Sequence, residues 1–373
     1  MSTYQIAKPS VTAAEIRAVT RVLKSGHLSL GPELQAFERE FARAAGTKEA
    51  CAVSSGTAGL HLALIAAGIG PGDEVITSPF SFIASSNAIL YVGAKPVFVD
   101  VDPVTYNLDP ARVARAVTKR TKAILVVHIF GQPADMDPIM AIAKKHRLKV
   151  IEDACESIGA QYHGKRVGTF GASGVFAFYP NKQMTTGEGG MLVTNSRRVA
   201  DDVRSLANQG RAKDMRWLDH KMLGYNYRLD EMSAALGRVQ LERLKTFIAA
   251  RRQIAAWYDE ALAAHADIVR TPKTGKGRTH TYFVYVVQIM KPGVSRDNVM
   301  RRLQDAGVQT KPYLPSIHLF TFYRKRFGFK KGDFPVAESI SARSIALPMY
   351  LGLTRKDVSC IVSRFIRILR AYA

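Results

Sequence analysis

Short β-rich runs alternate with helical patterns between Cys51 and Cys155, and no other feature constrains the fold of this chain as much. The runs lie at residues 73–77, 95–101, 122–129 and 148–151, and helical spacing appears between them at 110–118 and 138–146. Alternation of this kind reads as βαβ units around a mainly parallel sheet. Residues 229–265 then form one long amphipathic helical stretch, with Leu236, Val239, Gln240 and Leu244 on helical steps, that bridges into a second domain. A polar breaker at 270–277 precedes a strand at 282–289, a helix at 296–306 and a closing helix at 355–372. With 373 residues, 47% of them hydrophobic, the chain is long enough for two packed domains, expected at 1–250 and 251–373.

Three segments carry chemistry. The apolar run Val175-Phe176-Ala177-Phe178-Tyr179 reads as a buried strand that Pro180 ends just ahead of Lys182, and a glycine turn, Gly187-Glu188-Gly189-Gly190, follows. A lysine at a strand end can simply snorkel to water. An enclosed one is pushed toward the neutral amine that attacks a carbonyl, the chemistry of a pyridoxal phosphate (PLP) enzyme. Twenty-nine residues before Lys182, the strand end Val150-Ile151-Glu152-Asp153 delivers two adjacent carboxylates, with Glu156 after them. PLP works as an electron sink while its ring nitrogen is protonated, which needs an anion beside it. Side chains alternate along a strand, so only one of Glu152 and Asp153 can face a given site.

The third segment, Ala52-Val53-Ser54-Ser55-Gly56-Thr57, passes from a short strand into an alanine- and leucine-rich helix. Free amides at such a helix start bind phosphate, although Ser and Thr there also serve as ordinary N-caps. Phe82, in Ser78-Pro79-Phe80-Ser81-Phe82, stands at the mouth of another helix, where an aromatic ring either packs in the core or stacks on a flat cofactor.

The order of phosphate turn, aromatic, carboxylate and lysine resembles PLP enzymes of the aspartate aminotransferase fold. More narrowly, the chain resembles the nucleotide-sugar aminotransferases of the DegT/DnrJ/StrS type. The likeness runs through Gly70-Pro71-Gly72-Asp73-Glu74-Val75, Val97-Phe98-Val99-Asp100, Val127-His128-Ile129-Phe130-Gly131, Glu152-Asp153-Ala154, the lysine loop and Gly224-Tyr225-Asn226-Tyr227-Arg228. It implies an α/β fold: a large domain with a mainly parallel seven-stranded sheet flanked by helices, and a smaller C-terminal α+β domain. It makes Lys182 the cofactor lysine and proton shuttle, and Asp153 the partner of the ring nitrogen. Phe82 falls at the stacking position, and Gly56 and Thr57 fall at the phosphate. Glu156 replaces a His or Gln common near the ring hydroxyl, and Ala177 replaces a serine that touches the phosphate. Asn226 matches an asparagine that reaches the neighbouring subunit's phosphate in a homodimer, and His318 matches a histidine at the mouth of the site.

By the same resemblance, L-glutamate donates the amine and a nucleotide-activated keto sugar accepts it, in amino-sugar biosynthesis for a surface polysaccharide or a secondary metabolite. Rivals within the fold are an aminocyclitol aminotransferase and a deoxysugar dehydratase. The dehydratases carry histidine in place of Lys182, which argues against the second. A PLP-binding regulator of nucleic acid and a Rossmann dehydrogenase are rivals of other classes, and no G-x-G-x-x-G follows the first strand.

Charge is unevenly shared. Of the net +22, residues 241–373 contribute +15, with 24 Lys and Arg against 9 Asp and Glu. Such a field favours anionic partners. The run Tyr323-Arg324-Lys325-Arg326-Phe327 mixes bases with aromatics, yet no nucleic-acid-binding motif accompanies it, and a sugar diphosphate is also an anion. No apolar stretch approaches the roughly 20 residues of a membrane span, and residues 1–6 do not begin a secretory signal. Cys51, Cys155 and Cys360 lack metal or redox spacing and suit free thiols in the cytoplasm, and no metal site is expected.

Overall fold

The computed structural model describes residues 3–212 and 219–372. Seven strands form the main sheet: β1 (Glu49–Val53), β2 (Glu74–Thr77), β3 (Lys95–Phe98), β4 (Thr121–Val127), β5 (Lys149–Asp153), β6 (Ser173–Ala177) and β7 (Gly190–Thr194). Their order across the sheet is β1-β7-β6-β5-β4-β2-β3. Strands β3, β2, β4, β5 and β6 pair in parallel, and β7 runs antiparallel to both of its neighbours. The expected mainly parallel, seven-stranded α/β sheet is therefore present.

Burial on both faces explains why the strands read as continuous apolar runs. Val75, Ile76, Ile124, Leu125, Val126, Ile151 and Val175 are fully buried, although they alternate between the two faces. Helix Gly56–Ala66 is apolar around nearly its whole circumference, with Leu60, Leu62 and Leu64 all buried, and it belongs to the same core as Val53, Val175 and Leu192. A helix buried on all sides fixes its own N-terminus, and that terminus opens toward the carboxyl ends of the parallel strands.

Helix Glu231–Leu262, 32 residues long, spans about 48 Å at the usual rise. Its first part, through Ala234 and Leu244, packs into the core that holds Phe37, Phe41 and Phe178. Its last turns, Ile254, Tyr258 and Leu262, belong to a second core. That core lies beneath a three-stranded antiparallel sheet, β8 (Val269–Arg270), β9 (Tyr285–Ile289) and β10 (Ser344–Leu347), in the order β8-β9-β10. Helices Arg296–Asp305 and Arg355–Arg370 close it with Leu303, Ile361 and Phe365. Residue 250 thus falls inside a continuous helix that serves both cores. Among the described residues, no helix is long and apolar enough to cross a membrane.

Candidate active site

A cavity of about 360 Å³ opens where the carboxyl ends of β5 and β6 meet the start of helix Gly56–Ala66. Gly56, Thr57, Phe82, Asp153, Glu156 and Lys182 all line it, so six of the eight expected site residues come together from four separate stretches of chain. A larger, open groove of about 690 Å³ elsewhere is lined by Arg204, Glu38, Glu49 and Arg197, whose charges pair with one another.

The strand end of β5 settles which carboxylate faces the cavity. Glu152 is fully buried on the other side, where it accepts from the backbone N–H groups of Gly168 (2.7 Å), Phe170 (2.7 Å) and Gly171 (2.8 Å). It also lies 3.0 Å from His128 Nε2. The His128 Nδ1 accepts from Ala134 N–H, so the ring proton sits on Nε2 and is donated to Glu152. Asp153 lines the cavity. Its Oδ2 accepts from the Ser85 hydroxyl at 2.6 Å and its Oδ1 from the Cys155 N–H at 3.2 Å.

Ser55 caps helix Gly56–Ala66 by accepting from Ala58 N–H, and the amides of Gly56 and Thr57 occupy the first turn, where no carbonyl lies one turn earlier. Glycine is required at 56, because a Cβ there would stand 2.8 Å from both Ala177 Cβ and Cys155 Sγ. Phe82 precedes helix Ile83–Tyr91 and leaves 61% of its surface bare at the cavity. Ala177 brings a methyl group to the wall and no hydroxyl.

Strand β6 ends at Ala177, short of the expected Tyr179, because the chain turns into a loop tied to itself. Thr186 N–H and the Thr185 hydroxyl both donate to the Phe178 carbonyl, and Lys182 N–H donates to that of Tyr179. The Lys182 side chain is 13% exposed, and its Nζ lies 3.4 Å from Glu156 Oε1. The same Nζ stands 3.9 Å from the centroid of the Phe283 ring. Glu156 Oε2 accepts from Phe130 N–H at 2.9 Å. Burial pushes the Glu156 carboxyl up from its ordinary 4.5, against the opposing pull of Lys182 and of the Phe130 N–H.

Two expected residues lie elsewhere. Asn226 is exposed, and its backbone bridges to Asn208 rather than entering the cavity. His318 is fully buried, 3.0 Å from Glu338 Oε1 and packed against the ring of Phe334. Ser85, Phe283 and Tyr313 line or hold the cavity without having been singled out from sequence. Phe283 and Tyr313 arrive from the C-terminal third with no local motif around them.

The sequence profile of the DegT/DnrJ/EryC1/StrS aminotransferase family matches residues 9–366. GDP-perosamine synthase of Caulobacter vibrioides is 40% identical over 342 residues, covering 91% of each chain. UDP-N-acetyl-3-dehydro-alpha-D-glucosamine 3-aminotransferase of Acidithiobacillus ferrooxidans is 39% identical over 350 residues, 93% of this chain and 92% of its own. Among solved structures, DesV of S. venezuelae superposes with a TM-score of 0.92 at 34% identity over 99% of both chains. The chain belongs to the DegT/DnrJ/EryC1/StrS aminotransferase family and is a PLP-dependent aminotransferase.

Proposed function

We propose that this enzyme transfers an amino group from L-glutamate to the keto carbon of a nucleotide-activated sugar, in the cytoplasm, as a homodimer with shared active sites. Relatives named for GDP-perosamine synthesis and for amination of a UDP-linked sugar support the acceptor class. The observation that carries the reading is that Lys182, Asp153 and the helix-start amides of Gly56 and Thr57 line one cavity. Free thiols at all three cysteines accord with a reducing compartment. A large domain at 1–250 and a small one at 251–373, joined through helix Glu231–Leu262, remain the proposed division.

The donor set fits the cofactor. Amides at a helix start suit a phosphate, a carboxylate suits a pyridinium nitrogen, and a bare phenylalanine face suits a flat ring. The missing Cβ of Gly56 leaves the cradle open, and Ala177 withholds one hydroxyl contact. When bound, PLP supplies an aldehyde for the amine and a cationic ring that accepts electrons from the carbon losing its proton.

The chain's own groups divide the remaining work. Asp153, oriented by Ser85 and the Cys155 N–H, holds the positive charge on the ring nitrogen. Lys182 Nζ, once free, would serve as the base that takes the proton from the substrate carbon and as the acid that returns it to the carbon on the other side of the imine nitrogen, so a single group would serve both transfers. Glu156 Oε1 and the Phe283 face hold that free amine in place. Gly56 and Thr57 fix the phosphate end, and Phe82 covers the ring. Asn226, exposed and outside its own cavity, contacts the phosphate held by the partner subunit. His318, buried against Glu338 and the Phe334 ring and outside the cavity, contributes to the packing of the C-terminal segment.

Loading the purified enzyme with PLP, adding glutamate, and presenting the aminated form with a panel of nucleotide keto sugars tests the reading. Amination of at least one such sugar is expected. Amination of free keto acids alone would reject it.

A further inference from the structure

Arg251 is a buried cation at the middle of the long helix. It is 3% exposed on the long helix Glu231–Leu262, and among the described residues no carboxylate forms an ion pair with it. Burial alone pulls its pKa down to about 10. A buried cation without a counter-ion costs several kcal/mol, so its hydrogen bonds must accomplish something that packing does not. All of those bonds go to main-chain carbonyls. Nη1 donates to the carbonyls of Tyr282 (3.2 Å) and Phe283 (3.1 Å), and Nη2 donates to that of Lys182 (3.3 Å).

These contacts close a ring. From Arg251 the path runs to the Phe283 carbonyl, and Phe283 N–H donates to the Phe130 carbonyl at 3.0 Å. Phe130 N–H donates to Glu156 Oε2, and Glu156 Oε1 meets Lys182 Nζ. The Lys182 carbonyl returns to Arg251. Gln183 braces the ring from within, with Nε2 donating to the Glu156 carbonyl and to the Thr281 hydroxyl. Cutting the ring at Arg251 frees two things together: the backbone of the reacting lysine and the segment that carries the aromatic face beneath its amine.

We propose that Arg251 is a positioning residue for Lys182, acting through the Lys182 and Phe283 carbonyls to hold the amine between the Glu156 carboxylate and the Phe283 ring. The proposal rests on Lys182 being the cofactor lysine. Guanidinium geometry is essential, since a lysine at 251 keeps the charge yet offers one nitrogen where three carbonyls are spread across two segments. The groups that face the amine are Glu156 and Phe283, with Asp153 and Cys155 behind the carboxyl and Tyr313 also close to it.

Arg251→Lys and Arg251→Ala, both first shown to fold by circular dichroism, are compared with the parent chain. One readout is the rate at which cofactor-free protein captures PLP as pH is varied. The other needs no cofactor: labelling of Lys182 in the cofactor-free chain by a small amine-reactive reagent, quantified by peptide mass. Arg251→Lys is expected to capture PLP about tenfold more slowly or worse, and to shift the pH midpoint of Lys182 labelling. In Arg251→Ala, guanidinium ion at millimolar concentration should restore capture, whereas methylammonium at equal ionic strength should not. Parental capture rates and an unshifted labelling midpoint in folded variants would overturn the proposal, as would equal rescue by both ions. Should PLP attach to another lysine, the cofactor assignment fails separately, and the labelling of Lys182 still decides the role of Arg251.

Discussion

Glu152 and Asp153 are neighbours on one strand, and their carboxylates serve opposite faces of the sheet. Glu152 gathers three backbone N–H groups and the His128 ring in the interior, while Asp153 turns to the cavity with Ser85 on one oxygen. Replacing Asp153 with Asn should leave PLP bound and slow transamination by orders of magnitude, because the ring nitrogen loses its anion. Near-parental turnover would assign that work to another group. Glu152→Ala should instead cost about 3 kcal/mol in urea unfolding of the cofactor-free chain, since one buried and two half-buried N–H groups lose their acceptor.

Acid sensitivity has an identifiable source in Glu15. Burial raises this carboxyl, but the Thr12 hydroxyl and N–H and the Arg243 guanidinium overcome that and hold it at about 2, below its ordinary 4.5. A depressed carboxylate stabilises the fold fully above its unfolded value, and that contribution is lost as pH falls from about 4.5 toward 2. Glu15→Gln should therefore lower Tm near neutral pH, and the gap to the parent should narrow as the solution is acidified through that window. A gap independent of pH would show that packing at Thr12, not charge, is what the carboxylate supplies.

Much of this was legible before any coordinates. The parallel strands announced themselves because burial on both faces demands unbroken apolar runs, and the lysine loop did so through Pro180 and its glycines. Alternation along β5 showed that only one of two carboxylates could serve the site, yet choosing Asp153 took either the resemblance or the coordinates. Phe283 and Tyr313 left no trace, since each reaches the cavity from a distant segment with no motif of its own, and Ser85, three residues after Phe82, reads as an ordinary helix residue. Arg251 was hidden for a related reason: an arginine in the middle of a charged helix looks solvent-exposed until tertiary packing buries it. The helix itself began at Glu231, near the expected 229, because Asp230 accepts from Ser233 N–H as a cap.

On the proposed function, the acceptor would carry a diphosphate and a large unreactive nucleotide, whose binding energy can position the keto carbon. A free keto sugar should show a far lower kcat/KM than its nucleotide form, and rising salt should shrink that ratio by screening basic contacts to the diphosphate. Equal use of the free sugar at low salt would favour an aminocyclitol or amino-acid pathway.

Shared sites predict complementation. Lys182→Ala and Asn226→Ala chains, each impaired alone, should regain activity when mixed and allowed to exchange, because one heterodimer site is then intact. No recovery, or a monomer by light scattering at working concentration, would contradict the exchange of Asn226 between subunits.

The central claim is that Lys182 carries the cofactor between Asp153 and the start of helix Gly56–Ala66. Borohydride reduction of the PLP-loaded enzyme followed by peptide mass mapping tests it most directly. A pyridoxyl group on Lys182, absent from the Lys182→Ala variant, is the predicted result; a pyridoxyl group on any other lysine would contradict it.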